Sequence, residues 1–479
     1  MIKFVGYFPD ADEHTEGVIL DLEMMLPSNR GYKGAPSPVA VTSALAAECR
    51  GAAYVIKLDN TSRTFAGTQT KLYELTGTTW TDVSKAGNYV GALDSFWRFA
   101  QFGDVTLAVN GTDEFQYSNG SGAFANLTGA PKAKVIDTIG GFVMVGNYND
   151  GTDTPDGIKW SAYLDYTDWT PDIATQAGDL RLLDTPGEVR ALKRLGQYAV
   201  AYKENSMYLG VNNGPPVLWG FTLVSGEIGA VSQEAVVSIE TAHYFISDND
   251  IFAFDGARPV SISSGIRESF FADLNADYAY KIRGIHDKNN NLIYWYYPSI
   301  ASNGPLDSCI VYNYKNQRWG KADRNIEVCL EYLTGSVTYA GIESDYATYT
   351  DIPSVSYGSP FWTNASFNMA IVGTDHIIYT LNGASTSSSV TTGAVGNDVL
   401  MMLMQRVQPS FTNDPTTGSM INYYRMTDGA TYTTDATVAL SSGRYDVLRD
   451  ARWHKFKLSF TGDVEIVGNT YRFTQGGDE

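Results

Sequence analysis

The sequence lacks the features that would assign it to a membrane or secreted class. A membrane-spanning helix needs about eighteen apolar residues in a row, and no apolar run in the sequence approaches that length. The first residues, MIKFVGYFPDADEH, are too short and too acidic a stretch for a secretion signal. We therefore expect no membrane span, and synthesis in a cytoplasm.

Cysteine and histidine are scarce and scattered. The three cysteines, Cys49, Cys309 and Cys329, stand singly among apolar neighbours, which predicts buried free thiols rather than a disulfide or metal site. No two of the five histidines lie close enough in sequence to form a local metal pair. Phosphate-binding Gly-Lys loops, dinucleotide fingerprints and nucleophile elbows are missing as well. The sequence thus predicts no cofactor, no metal site and no enzymatic activity.

Basic charge is outweighed by acidic charge. The chain carries 34 Lys and Arg against 53 Asp and Glu, a formal net charge of -19. This balance disfavours a protein that holds nucleic acid by neutralising phosphates. An acidic surface would instead repel DNA, which is useful only where DNA must slide past without sticking.

Helical periodicity is almost absent. The 31 Tyr and 46 Gly, together with strand-sized apolar runs, predict a mostly β protein. One short helix is predicted over residues 265–280, where Ile266, Phe270, Leu274 and Tyr278 recur every four residues on one stripe.

One stretch, HYFISDNDIFAFDGARPVSIS from His243 to Ser263, predicts strand, turn, strand, turn, strand. Weaker copies recur as KLYELTGTTWTDVS, EFQYSNGSGAFANL, IKWSAYLDYTDWTP, AYKENSMYLGVNNGPP, CIVYNYKNQRWGKAD and HIIYTLNG. The first three of these copies start about 43 or 44 residues apart, the period of a four-stranded propeller blade. Later spacings of roughly 50 or 60 residues fit blades with insertions.

The repeats predict a β-propeller of six or seven blades, some of them irregular, over residues 45–383. The alternative is an irregular set of stacked β-sheets. An extended N-terminal arm is expected over 1–44, lying along the fold or on a neighbouring subunit, or else a loosely held terminus. The small polar stretch 382–397 predicts a boundary, after which residues 384–479 are expected to form a β-sandwich-like region or a sheet that completes the propeller.

Charged residues gather in three stretches of the sequence. Two basic patches are candidate subunit contacts, although a solvated strand edge would also explain the first. The first patch consists of Arg190, Lys193, Arg194 and Lys203, and the second of Arg444, Arg449, Arg452, Lys455 and Lys457. The candidate acidic arm consists of Asp10, Asp12, Glu13 and Glu16.

Three aromatic clusters could stack on sugars or bases. They are Tyr294 to Tyr297, Phe361-Trp362 and Phe96-Trp97. Alternating aromatic residues in strands more often form core and cross-strand pairs, so both interpretations stay open.

Several motifs in order resemble a known family. They are GVILDLEMMLPSNRGYKGAPSP near the start; ALKRLGQYAVAYKENSMYLG; WGFTLVSGEIGAVSQEAVVSIETAHYFISDNDIFAFDGARPVSISSGIRESFFADLN; the pair IYWYYP and CIVYNYKNQRWGK; and the ending RYDVLRDARWHKFKLSF. In their order and spacing these motifs resemble those of the tail nozzle, or packaged-DNA stabilisation, proteins of short-tailed bacteriophages, and the resemblance covers most of the chain.

The resemblance implies a virion tail subunit made in the host cytoplasm and assembled as a ring of six copies. Such a ring lies below the portal and its adaptor, carries tail fibres, spikes or needles, and surrounds double-stranded DNA without sequence-specific binding. It extends the DNA channel, retains the packaged genome and lets it leave on infection. The alternative function is a carbohydrate-binding or carbohydrate-cleaving propeller at a phage tail or cell surface.

Overall fold

The computed structural model describes residues 1–92, 94–334, 348 and 366–475. Six short strands come first: β1 (Ile2–Lys3), β2 (Gly6–Tyr7), β3 (Val18–Glu23), β4 (Met25–Pro27), β5 (Tyr32–Gly34) and β6 (Ser37–Ala40). The sequence predicts an extended arm over these residues. In the structure, each of the six strands is hydrogen-bonded into a larger sheet.

The strands that follow fold into consecutive antiparallel meanders. The first blade contains β7 (Gly51–Ile56), β8 (Ser62–Gly67), β9 (Leu72–Thr76) and β10 (Thr79–Asp82). The second contains β11 (Arg98–Phe102), β12 (Val105–Val109), β13 (Gln116–Asn119) and β14 (Ala125–Asn126). The third contains β15 (Lys132–Ile139), β16 (Phe142–Asn149), β17 (Asp153–Trp160) and β18 (Gly178–Arg181).

The fourth blade contains β19 (Val189–Leu195), β20 (Tyr198–Lys203), β21 (Met207–Gly214) and β22 (Leu218–Ser225). The fifth contains β23 (Val236–Ile239), β24 (Ala242–Ile246), β25 (Ile251–Phe254) and β26 (Pro259–Ser261). After a helical segment comes a sixth meander of β27 (Arg283–Asp287), β28 (Leu292–Tyr297), β29 (Ser308–Asn313) and β30 (Arg318–Lys321). The last blade contains β31 (Ile326–Thr334), β32 (Ser366–Gly373) and β33 (Ile378–Gly383).

Local chemistry explains the meanders. Along β24 and β25, for example, Phe245 pairs with Phe252 and His243 with Phe254, so cross-strand neighbours pack in register. The turn between β15 and β16 has only two residues, Gly140 and Gly141, whose φ angles are +58° and +86°. Glycine adopts this conformation without strain, which allows the tight hairpin.

The first strand of each meander lies at the centre of a ring, in the order β7, β11, β15, β19, β23, β27, β31 and back to β7. Within the described residues, six of the meanders stand as separate four-stranded blades. The sixth meander in chain order, β27–β30, is instead one end of a larger sheet. The prediction of a mostly β protein with a propeller is therefore confirmed.

The ring is closed by the N-terminal strand β6, which pairs with β33 as the outer strand of the last blade. Beyond β6, the Val41 N–H donates to the Ile378 carbonyl at 2.9 Å and the Leu45 N–H to the His376 carbonyl at 2.8 Å. Glu327 of β31 accepts the Cys49 N–H at 2.7 Å, which ties the last blade to the chain that leads into the first.

The C-terminal strands are β34 (Ser387–Thr392), β35 (Val395–Gly396), β36 (Met402–Asn413), β37 (Thr417–Arg425), β38 (Thr433–Thr434), β39 (Val438–Ala439), β40 (Tyr445–Ala451), β41 (Trp453–Thr461) and β42 (Glu465–Gln475). With β1–β5 they form two sheets. The first runs β30-β4-β5-β42-β36-β40 with β1 on β42, and the second runs β2-β3-β34-β41-β37-β38 with β35 and β39 alongside. The C-terminal β-region thus incorporates the N-terminal residues.

The propeller and the C-terminal sheets share one hydrophobic core. Trp295 and Trp319 of the sixth meander belong to the same buried cluster as Phe456 and Ile466 of the C-terminal strands. The backbone continues this contact, because Lys321 of β30 pairs with Met25 of β4. A shared buried core and a continuous sheet thus join the two parts.

The predicted helix is shorter than expected. An α-helix, α1, covers Arg267–Asp273, and a separate 3-10 helix covers Ala276–Lys281. The α-helix ends because Leu274 has an extended backbone, with φ -68° and ψ 126°. Ile266, Phe270 and Leu274 are buried, as their spacing predicts.

The aromatic run Tyr294 to Tyr297 is buried along its whole length, so it belongs to the core. Trp97 is also buried, Phe96 is half-buried, and Phe361-Trp362 lies outside the described residues.

All three cysteines are free thiols; Cys49 and Cys309 are buried and Cys329 is half-buried. No helix among the described residues is both long and apolar enough to cross a membrane.

Candidate functional site

The innermost strands line an axial channel, and β19 shows how they position charged side chains along it. Arg190 lines a cavity of about 620 Å³ at one end of the channel, which we call the upper funnel. Lys193 borders a central cavity of about 190 Å³, the constriction. Lys193 and Arg194 both line a cavity of about 1070 Å³ at the other end, the lower funnel. Arg190 and Arg194 are four residues apart, and a strand rises about 3.3 Å per residue, so the two funnels are about 13 Å apart along β19.

The constriction holds a cluster of ionised groups around Glu234. Arg98 donates from Nε to one Glu234 oxygen at 2.6 Å and from Nη2 to the other at 2.9 Å. Arg283 approaches the same carboxylate, with Nη1 3.6 Å from Oε1. Burial alone would raise the pKa of Glu234, but the charges of Arg98 and Arg283 outweigh it and lower the pKa to about 2. Glu234 is therefore a carboxylate throughout the ordinary pH range.

A second acid, Asp137, lies at the lower end of the constriction. Its carboxylate accepts the backbone N–H groups of Thr138 and Arg194, each at 2.8 Å. Burial raises the pKa of Asp137, while the nearby charge of Lys193 opposes the rise. Lys193 is thus the cation that faces this acid.

The upper funnel is richer in acids than in bases. Lys134 pairs with Glu188 at 3.0 Å and Arg190 pairs with Glu204 at 2.8 Å, which neutralises part of the wall. The rim carries three more exposed acids and one exposed ring. They are Asp94, Asp248, Asp277 and Tyr280, and the Tyr280 ring lies 6.2 Å from that of Phe96. Such a wall suits a polar or cationic ligand better than an anion.

The first predicted basic patch is not a single surface. Arg190, Lys193 and Arg194 lie at successive levels of the channel, and Lys203 is fully buried. Lys203 Nζ donates to the Leu182 carbonyl at 2.8 Å and also to the Thr185 carbonyl. Burial lowers the pKa of Lys203, and these carbonyls explain why the charge is tolerated.

The second basic patch is largely paired inside the chain. Lys457 Nζ lies 2.8 Å from Glu23, and Lys455 Nζ lies 3.9 Å from Glu13. Arg449 Nε donates to Asp435 at 3.1 Å, and Arg444 Nε approaches Asp446 at 3.4 Å. Among the described residues, the Arg452 side chain has no ion-pair partner.

The candidate acidic arm also bonds within the chain. Asp10 accepts the backbone N–H groups of Glu268 at 2.7 Å and Ser269 at 2.8 Å, which satisfies the first turn of α1. Asp12 accepts from the His14 backbone at 2.9 Å. Glu13 contacts Arg425 at 2.9 Å, and Glu16 is exposed. Three of the four acids are thus engaged by the chain that carries them.

Three potential metal ligands meet on the C-terminal sheets, where sequence spacing gave no signal. Ligand atoms of Glu13, His14 and Asp428 lie within 4.8 Å of one another. Arg425, however, donates to His14 Nε2 at 3.2 Å and contacts both carboxylates. Because a guanidinium already neutralises this cluster, the arrangement does not call for a metal ion.

The constriction residues Arg98, Glu234 and Arg283 were not singled out from the sequence. They come from three different blades, and each stands at or just before the start of an innermost strand. A charged residue at or just before the start of a meander's first strand was the signal that could have found them. Their mutual pairing has no local sequence signature.

No protein-family model and no curated protein matches this sequence. Among solved structures, "YCF48 bound to D1 peptide" has a TM-score of 0.39 and 11% identity, covering 73% of this chain and 96% of that one. "Crystal structure of BBS1N in complex with ARL6DN, soaked with mercury" has a TM-score of 0.40 and 10% identity, covering 74% of this chain and 97% of that one. These similarities carry no functional argument.

Proposed function

We propose that this chain is a virion structural protein, the subunit of a tail nozzle or hub ring that retains packaged DNA and lets it leave on infection. The observation that carries the proposal is the pairing of basic residues within the chain. Glu23 pairs with Lys457 and Glu204 with Arg190, while the net charge is -19. Such a surface offers duplex DNA little phosphate-neutralising charge, so DNA can pass without adhering.

In this proposal the DNA path lies between subunits and not through the propeller. The axial channel narrows to the constriction, where Arg98 and Glu234 face each other at hydrogen-bonding distance. A duplex does not fit through a channel that side chains close in this way. The ring lumen is therefore formed by the outer surfaces of several copies, held by head-to-tail contacts whose rotation closes.

The joint between the propeller and the C-terminal sheets supports the same function. The pairing of Lys321 with Met25 joins the sixth meander to the C-terminal sheets, and one core spans both parts. A ring wall that holds a packaged genome needs subunits that do not bend at a domain hinge. A continuous sheet provides this property.

The decisive experiment is light scattering of the purified protein, alone and with portal, adaptor and tail components. The proposal predicts a ring of about six copies, formed alone or only on those partners. Arg452→Gln tests the residue of the second basic patch that has no ion-pair partner in the described part of the chain, and we expect it to weaken assembly. Arg406→Gln removes the same charge from an in-chain pair with Asp446 and serves as the control. A monomer that ignores all partners contradicts the proposal.

The upper funnel supports a second candidate function, carbohydrate binding. Its volume of about 620 Å³ lies in the range of small-molecule sites. Exposed Asp94 and Asp277 could accept hydrogen bonds from sugar hydroxyl groups, and Tyr280 offers a ring for stacking. This candidate predicts glycan binding that Asp277→Asn and Tyr280→Ala each weaken, while Asp172→Asn, on an exposed loop, leaves it unchanged. Absence of binding across a glycan array removes this candidate.

A further inference from the structure

The outer strand of the fourth blade, β22, is the longest outer strand that the described part of the propeller leaves unpaired. It has eight residues, Leu218–Ser225, and it pairs with β21 on one side only. The outer strands of the other separate blades, β6, β10, β14, β18 and β26, have two to four residues. Among the described residues, no loop or turn backbone bond reaches β22. Its outer edge therefore offers a row of free N–H and C=O groups.

This strand also lacks the features that protect a sheet edge. Natural edges are kept from pairing by short strands, charged side chains, proline or bulges. The strands β10 and β18 contain charged residues, β6 and β26 contain Pro38 and Pro259, and β14 has only two residues. In contrast, residues 205–226, which include both β21 and β22, hold no Asp, Glu, Lys, Arg or His. Register shifts affect only the ends of β22, so Trp219 to Leu223 pair regularly with β21.

Side chains of β22 fix the strand against the neighbouring blades. Trp219 is buried, and its ring lies 5.9 Å from that of Phe142 in the third blade. Phe221 packs on the same cluster, and Val224 packs on the cluster that the fourth blade shares with the fifth. Thr222 and Leu223, which point to opposite faces of the strand, are exposed. The edge is thus ordered before a partner arrives, and both of its faces are accessible.

Charge selects a second copy of the chain as the partner. Each copy carries a net charge of -19, so two copies repel one another, and close approach costs least where the surface has no charge. The uncharged hairpin of β21 and β22 is such a surface. A strand edge is also compatible with itself, because a two-fold axis presents the same row of donors and acceptors from both sides. Two-fold dimers are the commonest oligomers of identical chains.

We propose that β22 pairs antiparallel with β22 of a second copy about a two-fold axis. The two fourth blades then form one continuous sheet, to which each copy contributes four strands. Main-chain hydrogen bonds across the axis satisfy the free groups of both edges. This contact covers the edge in the protein before it meets other tail proteins. It is independent of the function proposed above, because a ring is closed by head-to-tail contacts on other surfaces.

Light scattering over a range of protein concentrations tests the contact. We expect a mass that doubles as the concentration rises. Thr222→Lys and Leu223→Lys each place like charges beside the axis, on opposite faces, and each is expected to raise the dissociation constant about tenfold or more. Thr81→Lys makes the same change on the exposed outer strand β10 and should leave the doubling intact. A wild-type mass that never doubles overturns the proposal. Loss of doubling in Leu223→Lys alone indicates a contact through one face and overturns strand pairing.

Hydrogen exchange of the wild-type protein does not depend on any variant folding. Alternate N–H groups of β22 point away from β21 and exchange quickly in a single copy. The proposal predicts that their exchange slows as the protein concentration rises, while that of the outward N–H groups of β10 does not. Exchange at β22 that is independent of concentration overturns the proposal. Slowing that appears only after other tail components are added means that a different protein covers the edge, which overturns the second copy as partner and leaves the tail function standing.

Discussion

Arg98 and Glu234 form a bidentate pair across the propeller channel, with bonds of 2.6 and 2.9 Å between residues 136 positions apart in sequence. Arg98 opens β11 in the second blade, and Glu234 stands two residues before β23 in the fifth. These blades are not neighbours in the ring, so the pair bridges the channel. Arg98 also donates from Nη1 to the Lys134 carbonyl at 2.5 Å, which adds the third blade to the same network.

Removing the Glu234 charge is expected to destabilise the propeller strongly. Glu234→Gln leaves Arg98 and Arg283 mostly buried without a compensating anion, and breaking a buried pair in this way costs about 3–5 kcal/mol. Chemical unfolding of the variant measures the loss. Glu227→Gln makes the same change at an exposed loop position and should stay close to wild type. A Glu234→Gln protein as stable as Glu227→Gln would show that the pair contributes nothing.

The lowered pKa of Glu234 predicts that the free energy of unfolding falls in acid. Its pKa is about 2 in the folded protein, against an ordinary value of 4.5. Because the folded pKa is the lower one, the stabilisation is fully present above pH 4.5 and is lost as the pH falls towards 2. The difference in unfolding free energy between wild type and Glu234→Gln should therefore shrink over this window. A difference that stays constant from pH 5 to about pH 2 contradicts the lowered pKa.

The sequence predicts what is local in this fold and misses what is distant. Strand alternation and turn residues predict β24, β25 and β26 within residues 243–263, because each strand pairs with its sequence neighbour. The pairing of Lys321 with Met25 has no such signal. The first basic patch fails as a surface for a geometric reason. Arg190 and Arg194 are close in sequence but about 13 Å apart, because the strand that carries them runs along the length of the channel.

Closure of the ring by β6 predicts a specific sensitivity at Val41. Val41→Pro removes the N–H that bonds the Ile378 carbonyl at 2.9 Å and leaves a buried acceptor without its partner. We expect a loss of about 1–3 kcal/mol. Hydrogen exchange at β33 should also become faster. Val41→Ala keeps the N–H and is the control for lost packing. If hydrogen exchange at β33 were equally fast in Val41→Pro and Val41→Ala, β6 would not close the propeller.

The pairing of Lys457 with Glu23 can be separated from any role in subunit contacts. Charge reversal at either residue alone, Lys457→Glu or Glu23→Lys, should destabilise the monomeric fold, and the double reversal should restore it. A partly exposed pair is expected to show a coupling energy of about 0.2–1 kcal/mol. Unfolding at low protein concentration measures it without contributions from assembly. A coupling of zero would show that this pair does not stabilise the fold.

Arg425 is expected to prevent the cluster of Glu13, His14 and Asp428 from binding a metal ion. His14 Nδ1 lies 2.8 Å from Asp12, so the tautomer that donates there leaves Nε2 as an acceptor, the form that ligates zinc. Arg425→Ala removes the guanidinium and leaves one nitrogen and two carboxylate ligands within 4.8 Å of one another. We therefore expect this variant, and not the wild type, to be stabilised by zinc.

Calorimetric titration with zinc measures this gain, and the double variant Arg425→Ala with His14→Ala is the control that lacks the imidazole. If wild type bound zinc as tightly as Arg425→Ala, the guanidinium would not occupy the cluster in solution. If the double variant bound as tightly as Arg425→Ala, the zinc would lie elsewhere on this acidic surface. Either result would refute the assignment of Arg425 as the cation that neutralises these three groups.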